Sequence, residues 1–238
     1  MLGLSVATLA GVPLATALGQ WAGWRVAYIL VGVLALISAV CVVKFVPYEA
    51  PEKDVNIRDE LSMFTNSQVW ITLGIGAIGF GGLFAIFSYV KPTLMSLAGL
   101  TPMGVPFVLA LFGAGMVVGN IVGSSMADKD LLGTIRRCLY WSMIVCAFFA
   151  LTAPFLWVAC FAVFCVGTVV VIGPAVQIRL MDVAGKAQTM AAAMNHSAFN
   201  FANAAGAFFG GIAIDAGYGY ASTGWVGVVL SFFGLGMY

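Results

Sequence analysis

The chain has 238 residues, 62% hydrophobic and only 8% charged, with a mean hydropathy of +1.06 and a formal net charge of +1. Soluble domains are roughly 45–50% apolar and about 25% charged, so this composition excludes a soluble globular domain and points to a multi-spanning membrane protein. The near-neutral charge leaves no electrostatic footprint for nucleic acid.

Apolar runs long enough to cross a hydrocarbon layer of ~30 Å occupy about 2–20, 25–46, 68–90, 104–126, 136–153, 156–178, 187–214 and 221–238, which makes eight expected spans of an all-α membrane protein. No Lys or Arg precedes Arg25, and Gly11, Pro13 and Gly19 suit a packed spanning helix better than the core of a signal peptide. Little polar flank precedes the first span or follows the last, so the chain is expected to be part of a longer protein. Pro47 to Gln68 is the one credible linker and holds five of the nine acids. Within it Ile57, Leu61 and Phe64 recur at i, i+4 and i+7, the pattern of a short helix lying at the membrane surface; a solvated loop accounts for the same residues. Cys41, Cys138, Cys146, Cys160 and Cys165 fall inside apolar runs at spacings that fit no zinc or redox motif, so they read as small buried hydrophobes.

The third span is dense in glycine (Gly74, Gly76, Gly79, Gly81, Gly82), which calls for close packing or for bending, since glycine weakens a helix by ~1 kcal/mol relative to alanine. Lys91 at its end is placed to snorkel to the outer surface. The fourth span carries Gly115, Gly119 and Gly123, a ridge that lets two helices approach closely. Beyond it stand Asp128, Lys129, Gly133, Arg136 and Arg137. An acid at a helix end can hold the positive N-terminus of a neighbour, and a basic pair can hold acids or lipid phosphate, so Gly123, Asp128, Lys129, Arg136 and Arg137 form a candidate conformational latch or, more plainly, a solvated turn. Gly173-Pro174 should kink the sixth span, and Gln177 follows where it can face a cavity.

The stretch from Ala187 to Tyr220 organises the chain. His196, Asn200 and Asn203 sit at i, i+4 and i+7, so a helix places all three on one face. Polar groups at membrane depth are costly unless they face a protein interior or a water-filled cavity, and a one-sided polar stripe therefore argues for a cavity-lining helix. The candidate cavity comprises Asn120, Gln177, Asn195, His196, Asn200 and Asn203. Imidazole changes charge near neutral pH, so His196, about 14 Å along the helix from Ala187 at ~1.5 Å per residue, suits proton exchange; a neutral histidine bonded to a neighbouring helix is the other reading. Asn200 and Asn203 suit either solute binding or interhelix hydrogen bonds. Gly206, Gly210 and Gly211 follow as packing positions.

The charges orient the spans. With the first span starting in the cytoplasm, Lys44, Lys53, Arg58, Lys129, Arg136, Arg137, Arg179 and Lys186 are cytoplasmic and only Arg25 and Lys91 lie outside, eight of ten basic residues on the inner side. A faint repeat joins the first two spans to the last two at an offset of 195 residues: Ala10-Gly11 aligns with Ala205-Gly206, and Val31-Gly32-Val33 with Val226-Gly227-Val228. A duplicated six-span unit predicts that relation. On this reading 1–46 is the end of one half, 47–67 the cytoplasmic loop between halves, and 68–238 the second half.

Several motifs together resemble the major facilitator superfamily, in its bacterial drug:proton antiporter and arabinose-efflux-permease branch. Asn195, Ala198-Phe199-Asn200, Asn203-Ala204, Gly206-Ala207, Gly210-Gly211 and Ile214 to Gly217 resemble the branch's eleventh helix. Leu4 to Arg25, with Gly11-Val12-Pro13, Gly19 and Gly23-Trp24-Arg25, resembles the antiporter motif of the fifth helix. Gly119-Asn120, Gly123, Ala127-Asp128-Lys129 and Arg136-Arg137 resemble the second-half copy of the superfamily's loop signature. Three departures stand out: Gly133 lies five residues after Asp128 instead of three, Ala15 replaces a common glycine, and His196 stands where an apolar residue is usual. The resemblance covers the chain as helices five to twelve of twelve. It implies secondary active efflux of a small solute (drug, sugar or nucleoside) across the bacterial inner membrane by rocking of two halves, driven by the proton gradient without any cofactor, and a monomer when complete. The coupling acid and arginine of such proteins lie in helices one and four. An intramembrane enzyme is disfavoured, because the spans hold a single histidine and no acid pair; an uncoupled carrier, a non-transporting scaffold and an inactive fragment are the remaining alternatives.

Overall fold

The computed structural model describes residues 7–47, 57–185 and 187–238. The start of the first span, Lys53, the side chains of Ile57 and Arg58, and Lys186 therefore lie outside the described residues. Among the described residues the secondary structure is helical: α1 (Val12–Ala22), entered through a π-helical turn at Ala7–Gly11, α2 (Trp24–Phe45), α3 (Ile57–Ser62), α4 (Ser67–Leu97), α5 (Pro102–Ala127), α6 (Leu131–Thr152), α7 (Leu156–Ala184), α8 (Gln188–Tyr218) and α9 (Ser222–Gly236). Six of these, α2 and α4 to α8, are long and apolar enough to cross a membrane, whereas α9 is a shorter apolar helix of 15 residues.

Three expected boundaries move: the fifth span, expected from 136, starts at Leu131 behind its N-cap Asp130, and two span ends shift. The third span was expected to end near Lys91-Pro92, yet α4 continues to Leu97. Proline deletes one N–H and one intrahelical bond, and the next turn is held by the Thr93 hydroxyl, which donates to the Tyr89 carbonyl at 2.6 Å, and by Leu94, which is fully buried. The sixth span was expected to end near 178 and instead reaches Ala184. Where a kink was expected, Val169–Val171 tightens into a 3-10 turn within a helix that runs on to Ala184. Pro174 lacks the N–H that would bond the Val170 carbonyl.

Helix association in lipid draws little from the hydrophobic effect and depends on close packing. The glycines show where backbones meet. A Cβ at Gly115 would strike the Phe164 carbonyl and one at Gly119 the Thr168 carbonyl, while one at Gly167 would strike the Phe112 carbonyl, so α5 and α7 each present glycine to the other's backbone. The glycines of α4 divide among several neighbours: Gly79 faces Gly234 of α9, Gly82 lies 2.8 Å (as a built Cβ) from the Gly227 carbonyl, and Gly81 approaches Ala202 of α8. Close packing accounts for these, and the π-helical turn Ile75–Gly79 adds the bend. On α8 the buried stripe is Ala191, Asn195, Ala198, Ala202, Gly206 and Gly210, a small-residue face. Gly206 lies against the backbone of Gly81 and Ala85, and Gly210 and Gly211 against the Tyr89 ring, whose hydroxyl donates to the Ala207 carbonyl at 2.8 Å.

Outer contacts are sparser. The backbone of Leu9 touches Gly113 of α5, and Gln20 Nε2 donates to the Pro102 carbonyl at 3.0 Å, so α1 lies along α5. The membrane-length window of α2 buries nothing.

The end of the linker is docked, not solvated. Met63, in the 3-10 turn Met63–Thr65, is 2% exposed and Phe64 packs partly buried against the same cluster, whereas Leu61 is 50% exposed, so of the expected stripe Phe64 packs inward and Leu61 does not. Tightening from ~3.6 to ~3.0 residues per turn rotates Met63 inward. Glu60 accepts the Met190 backbone N–H at 3.0 Å, and Asn66 donates to the Val183 carbonyl at 3.0 Å while its own oxygen accepts the Gln68 N–H. One segment thus ties the end of α7 to the start of α8.

Candidate functional site

A cavity of about 340 Å³ lies where α1, α4, α5, α7 and α8 converge. Phenylalanine is the commonest residue in its wall. Phe80, Phe84 and Phe87 come from one face of α4, Phe112 from α5 and Phe199 from α8. Their rings pack on one another, with centroids 5.2 Å apart for Phe80–Phe84, 5.0 Å for Phe80–Phe199 and 4.7 Å for Phe87–Phe112. The polar side chains among the lining residues, besides Thr8, are Asn120, His196 and Asn200. Gly173 and Pro174 form the α7 wall at the level of Phe199, whose ring lies 3.5 Å from a Cβ built on Gly173.

The six expected cavity residues therefore separate. Asn120, His196 and Asn200 line the cavity. Asn203 continues the exposed face of His196 and Asn200 but lies beyond the lining. Asn195 is fully buried in the α8 stripe that faces the neighbouring helices, so it is no cavity residue, and neither of its amide atoms has a protein partner. Gln177 lies one turn past Gly173 on α7 with its Oε1 buried and unpartnered, again outside the lining. The aromatic wall was not singled out from the sequence, although Phe80, Phe84 and Phe87 recur at helical spacing.

The loop between α5 and α6 also differs from expectation. Asp130, not Asp128, is the acid at the helix end. Its Oδ1 accepts the Gly133 N–H at 2.9 Å as the N-cap of α6, and its Oδ2 pairs with Arg137 at 2.9 Å. Asp128 caps the C-terminus of α5, where the helix dipole repels an anion. Asp130 stands three residues before Gly133 and Asp128 five. Arg136 lies over the Tyr238 ring at 6.0 Å, and Lys129 is exposed. A Cβ on Gly123 would overlap the Val171 side chain, so Gly123 is a packing position between α5 and α7.

The profile of the Major Facilitator Superfamily matches residues 1–195. The chain belongs to the major facilitator superfamily. It is 32% identical over 236 residues to the Inner membrane transport protein YdhP of Escherichia coli K12, covering 97% of this chain and 59% of that protein. It is 28% identical over 236 residues to the Putative transporter AraJ of the same strain, with the same coverage, and 29% identical over 231 residues to the Uncharacterized MFS-type transporter YtbD of Bacillus subtilis 168, covering 94% of this chain and 58% of that protein. The chain thus spans about three-fifths of the length of these curated relatives. With six membrane-length helices among the described residues and relatives named as inner membrane transport proteins, this superfamily member is a multi-pass inner-membrane protein.

Proposed function

We propose that this chain carries the greater part of a secondary transporter that exports a small solute by alternating access. The observation that carries the reading is the convergence of Asn120, His196 and Asn200, from two helices, on one cavity whose otherwise mainly apolar wall includes five phenylalanine rings. An aromatic wall opposite a few fixed amide and imidazole groups suits a solute with a flat apolar face and a hydrogen-bonding edge. Among drugs, sugars and nucleosides this favours a drug or nucleoside. His196 and Asn200 are exposed in the described residues, and in the proposed whole they face the first half of the transporter across the solute path.

In this reading 1–46 corresponds to helices five and six, 47–67 to the loop between halves, and 68–238 to helices seven to twelve. Export is driven by the proton gradient through groups in the preceding helices, with no cofactor and with the complete protein acting as a monomer. Gly11, Pro13 and Gly19 form the antiporter-motif helix, and in the latch of Gly123, Asp128, Lys129, Arg136 and Arg137 the pair of Asp130 with Arg137 replaces Asp128 as the acid.

The test is solute accumulation in cells stripped of their own efflux pumps, expressing either this chain or a version extended with four further spans. The expected result is an energy-dependent fall in accumulation with the extended version, collapsed by a protonophore and lost on Asn200→Ala. A fall that survives the protonophore would remove proton coupling. No fall with any of a panel of drugs, sugars and nucleosides would remove the export reading.

A further inference from the structure

A second groove, of about 410 Å³, runs along the outside of the bundle between α5, α6 and α7, apart from the cavity that holds His196. Its walls are Val118 and Val122 of α5, Trp141 of α6 and Val171 of α7. Val118 and Val122 are 42% and 52% exposed, so the groove opens sideways, where a membrane protein meets acyl chains. Gly119 and Gly123 set its depth, because they bring α5 directly onto Thr168 and Val171. The Trp141 ring is fixed at the wall by its indole N–H, which donates to Thr168 Oγ1 at 2.8 Å.

Arg137 is the one charged residue in the lining. It stands one helical turn, about 6 Å, from Trp141 toward the start of α6, the cytoplasmic end by the charge rule. The guanidinium gives one N–H to Asp130 at 2.9 Å and is 54% exposed. Five donors sit on that group, so the pair with Asp130 leaves others free to turn toward the headgroup level. Along the sequence the α5–α6 loop and the first turns of α6 carry Lys129, Arg136 and Arg137 against Asp128 and Asp130, three cations to two anions, with Arg137 alone of these in the lining.

We propose that this groove binds an anionic phospholipid, one acyl chain lying along Val118, Val122 and Trp141 and the phosphodiester resting on Arg137. Charge complementarity selects the occupant. No carboxylate lines the slot itself, the Asp130 carboxylate lying outside it on Arg137, and a basic side chain between spans at the cytoplasmic face is suited to an anionic headgroup. From Met126 to Val118 the slot extends about 12 Å along α5, which takes the upper part of one chain.

Native mass spectrometry of the delipidated chain, titrated with phosphatidylglycerol or with phosphatidylcholine of identical chains, tests this. The unaltered chain should hold phosphatidylglycerol about fivefold more tightly, the effect of roughly one surface cation. Arg137→Gln should abolish that preference, and Lys44→Gln, which removes a cytoplasmic-side charge elsewhere, should retain it. Val122→Trp, or Val118→Trp at a second position, fills the slot and should weaken both lipids alike while the variant stays monodisperse with an unchanged helical spectrum. Equal binding of the two lipids would overturn the proposal. So would a preference that survives Arg137→Gln, or tryptophan variants that both bind as the unaltered chain does. Displacement of phosphatidylglycerol by glycerol 3-phosphate would show a free-anion site and likewise overturn it.

Discussion

Gly119→Ala is the smallest change that tests whether α5 and α7 are held by backbone contact. A Cβ there would overlap the Thr168 carbonyl and stand 2.8 Å from the Thr168 Cα, all of it backbone that cannot rotate away. Ordinary carbon contacts are ~3.5–4.0 Å, so the two helices must separate locally by nearly 1 Å. If roughly 40 atom pairs along the seam each contribute ~0.15 kcal/mol, and such a gap forfeits a quarter to a half of each, the loss is about 1.5–3 kcal/mol. Overpacked cores generally lose about 1–3 kcal/mol. At about 2–4 °C per kcal/mol for a chain of this size, the thermal midpoint in detergent, followed by far-ultraviolet circular dichroism, should fall by about 3–12 °C. The same substitution at Gly32 of α2, where nothing lies within 4 Å, should have the opposite sign or none, because alanine favours a helix by about 1 kcal/mol over glycine. Equal effects at the two sites would refute the packing argument.

Three further outcomes follow from particular contacts. Ser142 and Ser231 share a buried hydroxyl hydrogen bond of 2.8 Å between α6 and α9; either single alanine variant should cost about 1–2 kcal/mol and the double variant less than the two together, as read by a double-mutant cycle in thermal unfolding. Asp130→Ala should destabilise by about 1–2 kcal/mol because it removes an N-cap and an ion pair, whereas Asp128→Ala should change the midpoint little; a larger loss at Asp128 would restore it as the loop's structural acid. Glu60→Gln keeps a hydrogen-bond acceptor for the Met190 N–H but loses the favourable charge at the start of α8, so it should weaken the docked linker by ~0.5–1 kcal/mol, seen as faster proteolysis between Pro47 and Asn66.

What the sequence made legible was set by signals that survive averaging. Long apolar runs marked the spans, and the i, i+4 pattern placed His196 and Asn200 together. Where a residue faces was harder to read. Asn195 and His196 are neighbours with equal claims to a polar face, and only the packing of Ala191, Ala198 and Ala202 on other helices shows that Asn195 turns inward. The phenylalanines of α4 looked the same as lipid-facing or core residues until helices from four other segments met them. Asp130 was passed over because the loop signature was anchored at Asp128, although the spacing to Gly133 already favoured the later acid. The anchor at Met63 depends on a 3-10 turn, which a 3.6-residue period cannot foresee.

The central claim is that the face bearing His196 and Asn200 borders an aqueous solute path. In a background with the five native cysteines replaced, cysteine is placed singly at Asn200, at Asn195 and at the exposed Phe201, and intact membranes are treated with a charged, membrane-impermeant thiol reagent. The account predicts rapid labelling at 200, protected by a transported solute, and no labelling at 195 or at 201. Labelling at 201 with none at 200 would place lipid where the path is drawn and contradict the account.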